Sequence, residues 1–418
     1  MRQCGKTWVL KQFGRTHYQA TAYVDFDEHP EYAQFFETKD VARITHNLSL
    51  ATAQPILPGR TLLILDEIQA CPAALNALKY FRERLPDLHV AAAGSLLGVA
   101  LAGSGFPVGQ VDFLHLGPLS FTESLRAAGD DGLVACAEQT GLEPLPDAFL
   151  GPLEERLTAY LVTGGLPDPV SRWLDERDTA AVDQALSDII RAYELDFAKP
   201  ARPADFPKIS LIWGSLPSQL SRENKKFLYQ AVKPGARARE YEDVLGWLVG
   251  AELVTKAHRS NGVGLPVSAH DDLSAFKVYR GDVGVLRRLA RLDAATVVGA
   301  APGFTEFRGA LAENDVLQAL LPQLDATPRY WAQSNPPYEV DFLVQRGNAV
   351  VPVEVKSGTS VSSRSLAKFE RLFPGQTPLR VRLSAHNLRL DGDVLNIPLP
   401  LADQADRLIG LALEAAAH

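Results

Sequence analysis

Two short stretches of this chain hold the residue types that phosphate chemistry needs. Arg60 to Gln69 reads RTLLILDEIQ, in which an apolar run from Leu62 to Leu65 stops at two carboxylates, Asp66 and Glu67. Such a run suits a parallel strand buried on both faces, and ligands of open α/β sheets gather where those strands end. Charge at that point needs a partner. An Asp there can hold Mg²⁺ on a nucleotide, usually through water, and a Glu beside it can polarise the attacking water. Near the N-terminus, Arg2-Gln3-Cys4-Gly5-Lys6-Thr7 matches the second half of the phosphate-loop pattern Gly-x-x-x-x-Gly-Lys-Ser/Thr and leads into a predicted helix, Trp8 to Gly14. Backbone N–H groups at that helix start would cradle phosphates, with Lys6 reaching the β and γ oxygens and Thr7 binding Mg²⁺ opposite Asp66. Each half also occurs by chance in proteins without a ligand; found together at ordinary spacing, they make ATP and Mg²⁺ the expected cofactors.

These side chains meet only if a sheet aligns them. Thr21 to Asp25 reads as a further strand, followed by the acidic turn Asp25-Phe26-Asp27-Glu28. Cys71-Pro72 opens a helix with Leu75, Leu78 and Phe81 at helical spacing, and Leu88 to Ala93 is the next strand. That strand ends at Gly94-Ser95, which makes Ser95 a candidate sensor of the γ-phosphate or simply a turn residue. Strands alternating with helices through residue 115 predict a parallel-sheet α/β domain. The full loop pattern also needs a strand and a first glycine where Met1 stands, and Met1 is the only methionine. The expectation is that the chain starts upstream or that the domain is damaged.

The order RQCGKT, LLILDEIQACP, AAAGSLLG, LGPLSFTE (Leu116 to Glu123) and YLVTGGLPDPV (Tyr160 to Val170) resembles a family of prokaryotic AAA-type ATPases that carry a C-terminal domain of unknown function. The resemblance covers nearly the whole chain. Members usually have a basic residue just before the strand leading into the PLSF motif; Gln110 stands there, so no arginine-type trans contact is expected at that position. The implied organisation is a P-loop AAA-type ATPase domain over 1–122, a helical connector over 123–204, a winged-helix-like domain over 205–295 and a small α/β PD-(D/E)xK nuclease-like domain over 296–418. Rings are common among AAA-type proteins, so an oligomer is allowed.

At 418 residues and a net charge of −8, the chain has ample core and no uniformly basic coat for nucleic acid. Cys4, Cys71 and Cys136 lie far apart without metal-ligand spacing, which suits a reducing compartment; with no signal peptide or membrane-length apolar run, the expected location is cytoplasmic. One local basic group stands out: Arg222, Lys225, Lys226, Lys233, Arg237 and Arg239. It falls within predicted helices Ser210–Leu220, Ser221–Tyr229 and Arg239–Ala251, followed by a strand at Glu252–Val254. This is the winged-helix pattern, and its charges are either a DNA contact or a solvated face.

A second constellation lies near the C-terminus. Glu339 to Val344 and Val351 to Lys356 alternate with period two around Arg346-Gly347-Asn348, which predicts a hairpin. A two-residue turn pairs Arg346 with Ala349, Val344 with Val351 and Phe342 with Val353, and it sets Asp341 opposite Glu354 and Glu339 opposite Lys356. Opposed carboxylates repel unless a divalent cation lies between them. Asp341 with Glu354-x-Lys356 is the PD-(D/E)xK nuclease pattern, in which the acids hold Mg²⁺ and the lysine serves the water; Glu313, in a helix predicted over Glu306 to Leu321, would complete the metal set. Salt-bridge decoration of a solvent-facing hairpin is the plainer alternative. Three functions follow: an ATP-driven switch using Lys6, Thr7, Asp66 and Glu67; a DNA-binding module with an inert P-loop; and a metal-dependent nuclease using Asp341, Glu354 and Lys356.

Overall fold

A computed structural model describes residues 3–94, 109–197, 205–222, 225–299, 305–335, 337–358 and 364–416, with the side chains of 305 and 306 excepted. It divides into two compact units, Met1–Gly117 with Gly250–Glu252, and Pro118–Val249 with Leu253–His418.

The first unit alternates helix and strand as its sequence predicts. Helix α1 (Lys6–His17) is followed by β1 (Ala20–Asp25), α2 (Val41–Thr52), β2 (Thr61–Asp66), α3 (Pro72–Arg84) and β3 (His89–Ala92). The strands form a parallel sheet in the order β1-β2-β3, with Ala20 beside Thr61 through to Asp25 beside Asp66. All six residues of β2 are buried, as the apolar run requires, and Leu63 and Leu65 share one core with Val24, Ile44, Leu78 and Phe81. Asp40 starts α2 by accepting from the backbone N–H groups of Ala42 and Arg43.

In the second unit, five helices come first: α4 (Phe121–Ala127), α5 (Asp131–Gln139), α6 (Asp147–Thr163), α7 (Pro167–Glu176) and α8 (Thr179–Asp196). Then come α9 (Phe206–Leu220), α10 (Tyr229–Val232), α11 (Ala238–Gly250), β4 (Val254–Ser260), β5 (Asp271–Arg280), α12 (Val283–Leu289), α13 (Ala294–Val298) and α14 (Thr305–Leu320). The chain ends with β6 (Arg329–Ser334), β7 (Pro337–Arg346), β8 (Ala349–Lys356), α15 (Arg364–Leu372), β9 (Arg380–Ser384), β10 (Arg389–Asp391), β11 (Val394–Pro398) and α16 (Ala405–Ala416).

Two expectations need correction here. The helix expected over Ser221–Tyr229 is not found in its described residues: 225–228 are not helical, the Phe227 N–H donates to the Phe276 carbonyl at 2.7 Å and the Leu228 N–H to Gln219 Oε1 at 2.7 Å, and a helix begins only at Tyr229. Nor do β4 and β5 form a separate wing. They belong to one eight-stranded sheet, ordered β10-β11-β9-β8-β7-β6-β4-β5, in which Arg259 of β4 pairs in parallel with Tyr330 of β6. The sheet therefore crosses the expected boundary between 295 and 296.

The PLSF and TGGLP motifs meet in this unit as a packing joint. Ser120 and Glu123 form a reciprocal capping box on α4, and the Tyr160 hydroxyl donates to the Leu119 carbonyl at 2.6 Å. The Leu119 N–H donates to the Gly165 carbonyl at 2.7 Å, while the Gly165 N–H donates to Asp282 Oδ2 at 2.8 Å. A Cβ on Gly165 would lie 2.0 Å from the Leu119 carbonyl oxygen, so only glycine fits. Gly165→Ala should cost about 1–3 kcal/mol of stability through overpacking. Gly151→Ala, in α6 where a Cβ meets nothing, should instead gain about 0.5–1 kcal/mol. Urea unfolding midpoints check the pair; equal midpoints would refute the joint.

Candidate functional site

The sheet of the first unit brings the predicted P-loop and acidic residues together. Gly5 caps α1 at φ 90°, a left-handed conformation that glycine adopts without strain, and its carbonyl accepts from the Val9 N–H at 2.9 Å. Lys6 and Thr7 thus occupy the first turn of α1, the end whose unpaired N–H groups and dipole favour anions. The Thr7 hydroxyl donates to Asp66 Oδ2 at 2.6 Å. Asp66 is buried, and its other oxygen accepts from the Glu67 N–H at 3.0 Å. The Lys6 ammonium lies 3.9 Å from Cys4 Sγ.

One residue of this site was not apparent from the sequence. Tyr23 of β1 donates to Asp66 Oδ2 at 3.0 Å and to Asp25 Oδ2 at 3.1 Å, bridging acids that stand side by side at the ends of adjacent strands. Burial and then Asp66 raise its phenol well above the ordinary tyrosine range, so it stays a donor. Lys11, one turn after Thr7, lies 3.5 Å from the centre of the Tyr23 ring. The only available signal was a tyrosine two residues before Asp25, which period two places on the same side of the strand.

Glu67 adopts φ 48°, a left-handed conformation that costs a non-glycine residue energy and is concentrated at functional sites. Gln69 Nε2 donates to the Glu67 carboxylate. Ser95, the expected sensor, lies outside the described residues. The end of β3 just before it is tied to β2, with the Ala93 N–H donating to the Leu65 carbonyl at 2.9 Å.

The hairpin of the second unit has the predicted register: Arg346 pairs with Ala349, Val344 with Val351 and Phe342 with Val353. The ladder stops at that last pair, and Asp341 Oδ2 accepts the Val355 N–H at 2.8 Å. Asp341 and Glu354 are buried, which removes the solvent-facing alternative. Glu313 reaches this place from α14, but the carboxylates that converge within 4.8 Å of one another are Glu313, Glu339 and Asp341, with Glu339 in place of the expected Glu354. Lys356 turns back to Glu354 at 2.9 Å rather than to Glu339, and Glu354 Oε2 is buried without a hydrogen-bond partner among the described residues.

Two further lysines enter from the upstream half of the unit. Lys277 of β5 is wholly buried, 2.9 Å from Glu313 Oε1, 2.5 Å from Glu339 Oε1 and 3.9 Å from Asp341 Oδ1. Lys225 pairs with the other oxygen of Glu313, and the Tyr279 hydroxyl also donates to Glu313. Burial opposes charge on both Glu313 and Lys277, yet the pairing wins: Lys225 and Lys277 hold Glu313 far below the usual carboxylate range, and Glu313 with Glu339 holds Lys277 well above its own. Asp341 shifts the other way. Burial and then Glu313 push its carboxyl up to about 7.

Three family models match parts of the chain. Residues 1–125 match a family model described as an AAA domain, and 154–296 and 308–402 match two domains of unknown function, DUF8612 and DUF4143. The N-terminal part of the chain is therefore similar to AAA domains. No curated protein matches the chain. Among solved structures, the Walker-type ATPase PABY2304 of Pyrococcus abyssi is similar at 13% identity and a TM-score of 0.44, covering 69% of this chain and 89% of its own. No described helix is long and apolar enough to cross a membrane.

Because Asp341 titrates higher folded than unfolded, the native state keeps a proton that the unfolded chain releases from about pH 4 upward. The stability this contributes is complete below the unfolded value and is lost as the pH rises to about 7. Relative to Asp341→Asn, the melting temperature of the wild type should fall between about pH 4 and 7 and then level off. A difference independent of pH would contradict the shift.

Proposed function

We propose that this protein binds and hydrolyses ATP at the rim of its N-terminal sheet, as an AAA-type ATPase. The observation that carries the reading is the 2.6 Å contact between the Thr7 hydroxyl and Asp66, which joins the start of α1 to the end of β2. A hydroxyl and a carboxylate facing each other at the foot of a phosphate loop are the oxygen donors that Mg²⁺ uses beside a nucleotide. They fit that ion, which would neutralise charge on the β and γ oxygens.

Each residue then has a role. The backbone from Gly5 into α1 would cradle the phosphates, and the Lys6 ammonium would serve the terminal ones. Thr7 and Asp66 would hold the metal, and Tyr23 fixes the Asp66 oxygen to which Thr7 also donates. Glu67 orients the water, and Gln69 positions Glu67. Nucleotide turnover would act on the C-terminal unit and through it on a partner. DNA as that partner is not adopted: of the six basic residues that suggested it, Lys225 is withdrawn into the acid cluster.

Lys6→Ala should weaken ATP binding at least about tenfold, a loss of about 1.4 kcal/mol. Glu67→Gln should bind ATP as well as the wild type while hydrolysing it roughly 10²–10⁴ times more slowly. Fluorescent-nucleotide titration and phosphate release separate the two effects. Wild-type affinity in Lys6→Ala would remove the proposed site.

A further inference from the structure

The acid cluster of the second unit has the carboxylates of a divalent-cation site, and its centre is already filled. Glu313, Glu339 and Asp341 bring three oxygens within 4.8 Å of one another, a spacing that can surround one ion. The Lys277 ammonium stands among these carboxylates, 2.5 Å from Glu339, 2.9 Å from Glu313 and 3.9 Å from Asp341. It is fully enclosed.

Most of the neighbouring carboxylate oxygens are engaged as well, Glu354 Oε2 excepted. Glu313 gives one oxygen to Lys277 and Tyr279 and the other to Lys225. Asp341 gives Oδ2 to the Val355 N–H, and Glu354 gives Oε1 to Lys356. A divalent ion would have to displace these donors and stand against buried ammonium groups, a charge arrangement that a low-dielectric interior penalises heavily. The residues present do not fit Mg²⁺.

We propose that Lys277 is a built-in replacement for the metal ion: its ammonium occupies the cation seat formed by Glu313, Glu339 and Asp341, and the C-terminal unit consequently neither binds a divalent cation there nor cleaves phosphodiesters. The seat serves cohesion, since Lys277 on β5 joins α14 to β7 and Lys225 joins the segment before α10 to the same helix. This assignment does not depend on the ATPase reading. Loss of nucleotide binding would leave it intact.

Manganese titration without nucleotide tests it, followed by electron paramagnetic resonance on the full chain. The wild type should show no Mn²⁺ binding that Asp341→Asn removes, and it should leave plasmid DNA uncut in Mg²⁺ or Mn²⁺. Lys277→Ala should open the seat and gain a Mn²⁺ site that Lys277→Ala/Asp341→Asn loses. Asp341-dependent Mn²⁺ binding by the wild type would overturn the proposal, as would a folded Lys277→Ala that gains no site. Should Lys277→Ala fail to fold, the wild-type comparison with Asp341→Asn still decides, because it needs no vacant seat.

Discussion

A carboxylate buried in a strand must be given partners, and both acid clusters of this protein are answers to that demand. Asp66 ends β2 inside the core of the first unit and is held by neutral donors, the hydroxyls of Thr7 and Tyr23. Hydroxyl donors leave the negative charge uncompensated, which is what a bound cation uses. Asp341 lies in β7 under similar burial, but the second unit surrounds it and its neighbours with Lys225 and Lys277. There the charge is met within the protein. The two sites look alike in sequence, each an acid beside a run of apolar strand residues, and differ in whether the partner is a hydroxyl or an ammonium.

Helix α14 shows how far the ammonium solution organises the second unit. Glu313 takes Lys277, Tyr279 and Lys225; its neighbour Asn314 accepts the Arg280 N–H at 2.8 Å and donates to the Arg280 carbonyl at 3.2 Å. One turn later Gln318 accepts the Val283 N–H at 2.9 Å. Three polar side chains of one helix thereby satisfy the end of β5 and the start of α12. Removing one ion-pair partner from such a network leaves a buried charge, which costs more than the pair itself is worth.

Local patterns in the sequence carried much of this. The six buried residues of β2, the helix after Cys71-Pro72 and the hairpin register around Gly347-Asn348 followed from periodicity and turn chemistry, because those rules act over a few residues. The meeting of Thr7 with Asp66 was legible because motif spacing encodes a tertiary contact. Tyr23, Lys225 and Lys277 were not legible in their roles, since Tyr23 meets Asp66 at a sequence separation of 43, Lys277 meets Glu313 at 36 and Lys225 meets Glu313 at 88. The helix expected over Ser221–Tyr229 is not found at 225–228 for a related reason: the Phe227 N–H pairs with the Phe276 carbonyl of β5 and the Leu228 N–H with Gln219, against local propensity. Glu354 was expected at the cation seat because register places it opposite Asp341, but the strands part after Phe342 and Val353, and Glu339 takes that place.

The central claim is that Thr7 and Asp66 share one metal ion with a bound nucleotide. Its most direct test is the dependence of ATP affinity on Mg²⁺, measured by calorimetry for the wild type and for Thr7→Ala. Magnesium should strengthen ATP binding in the wild type, and that gain should vanish in Thr7→Ala while metal-free binding persists. An equal magnesium effect in both proteins would contradict the account.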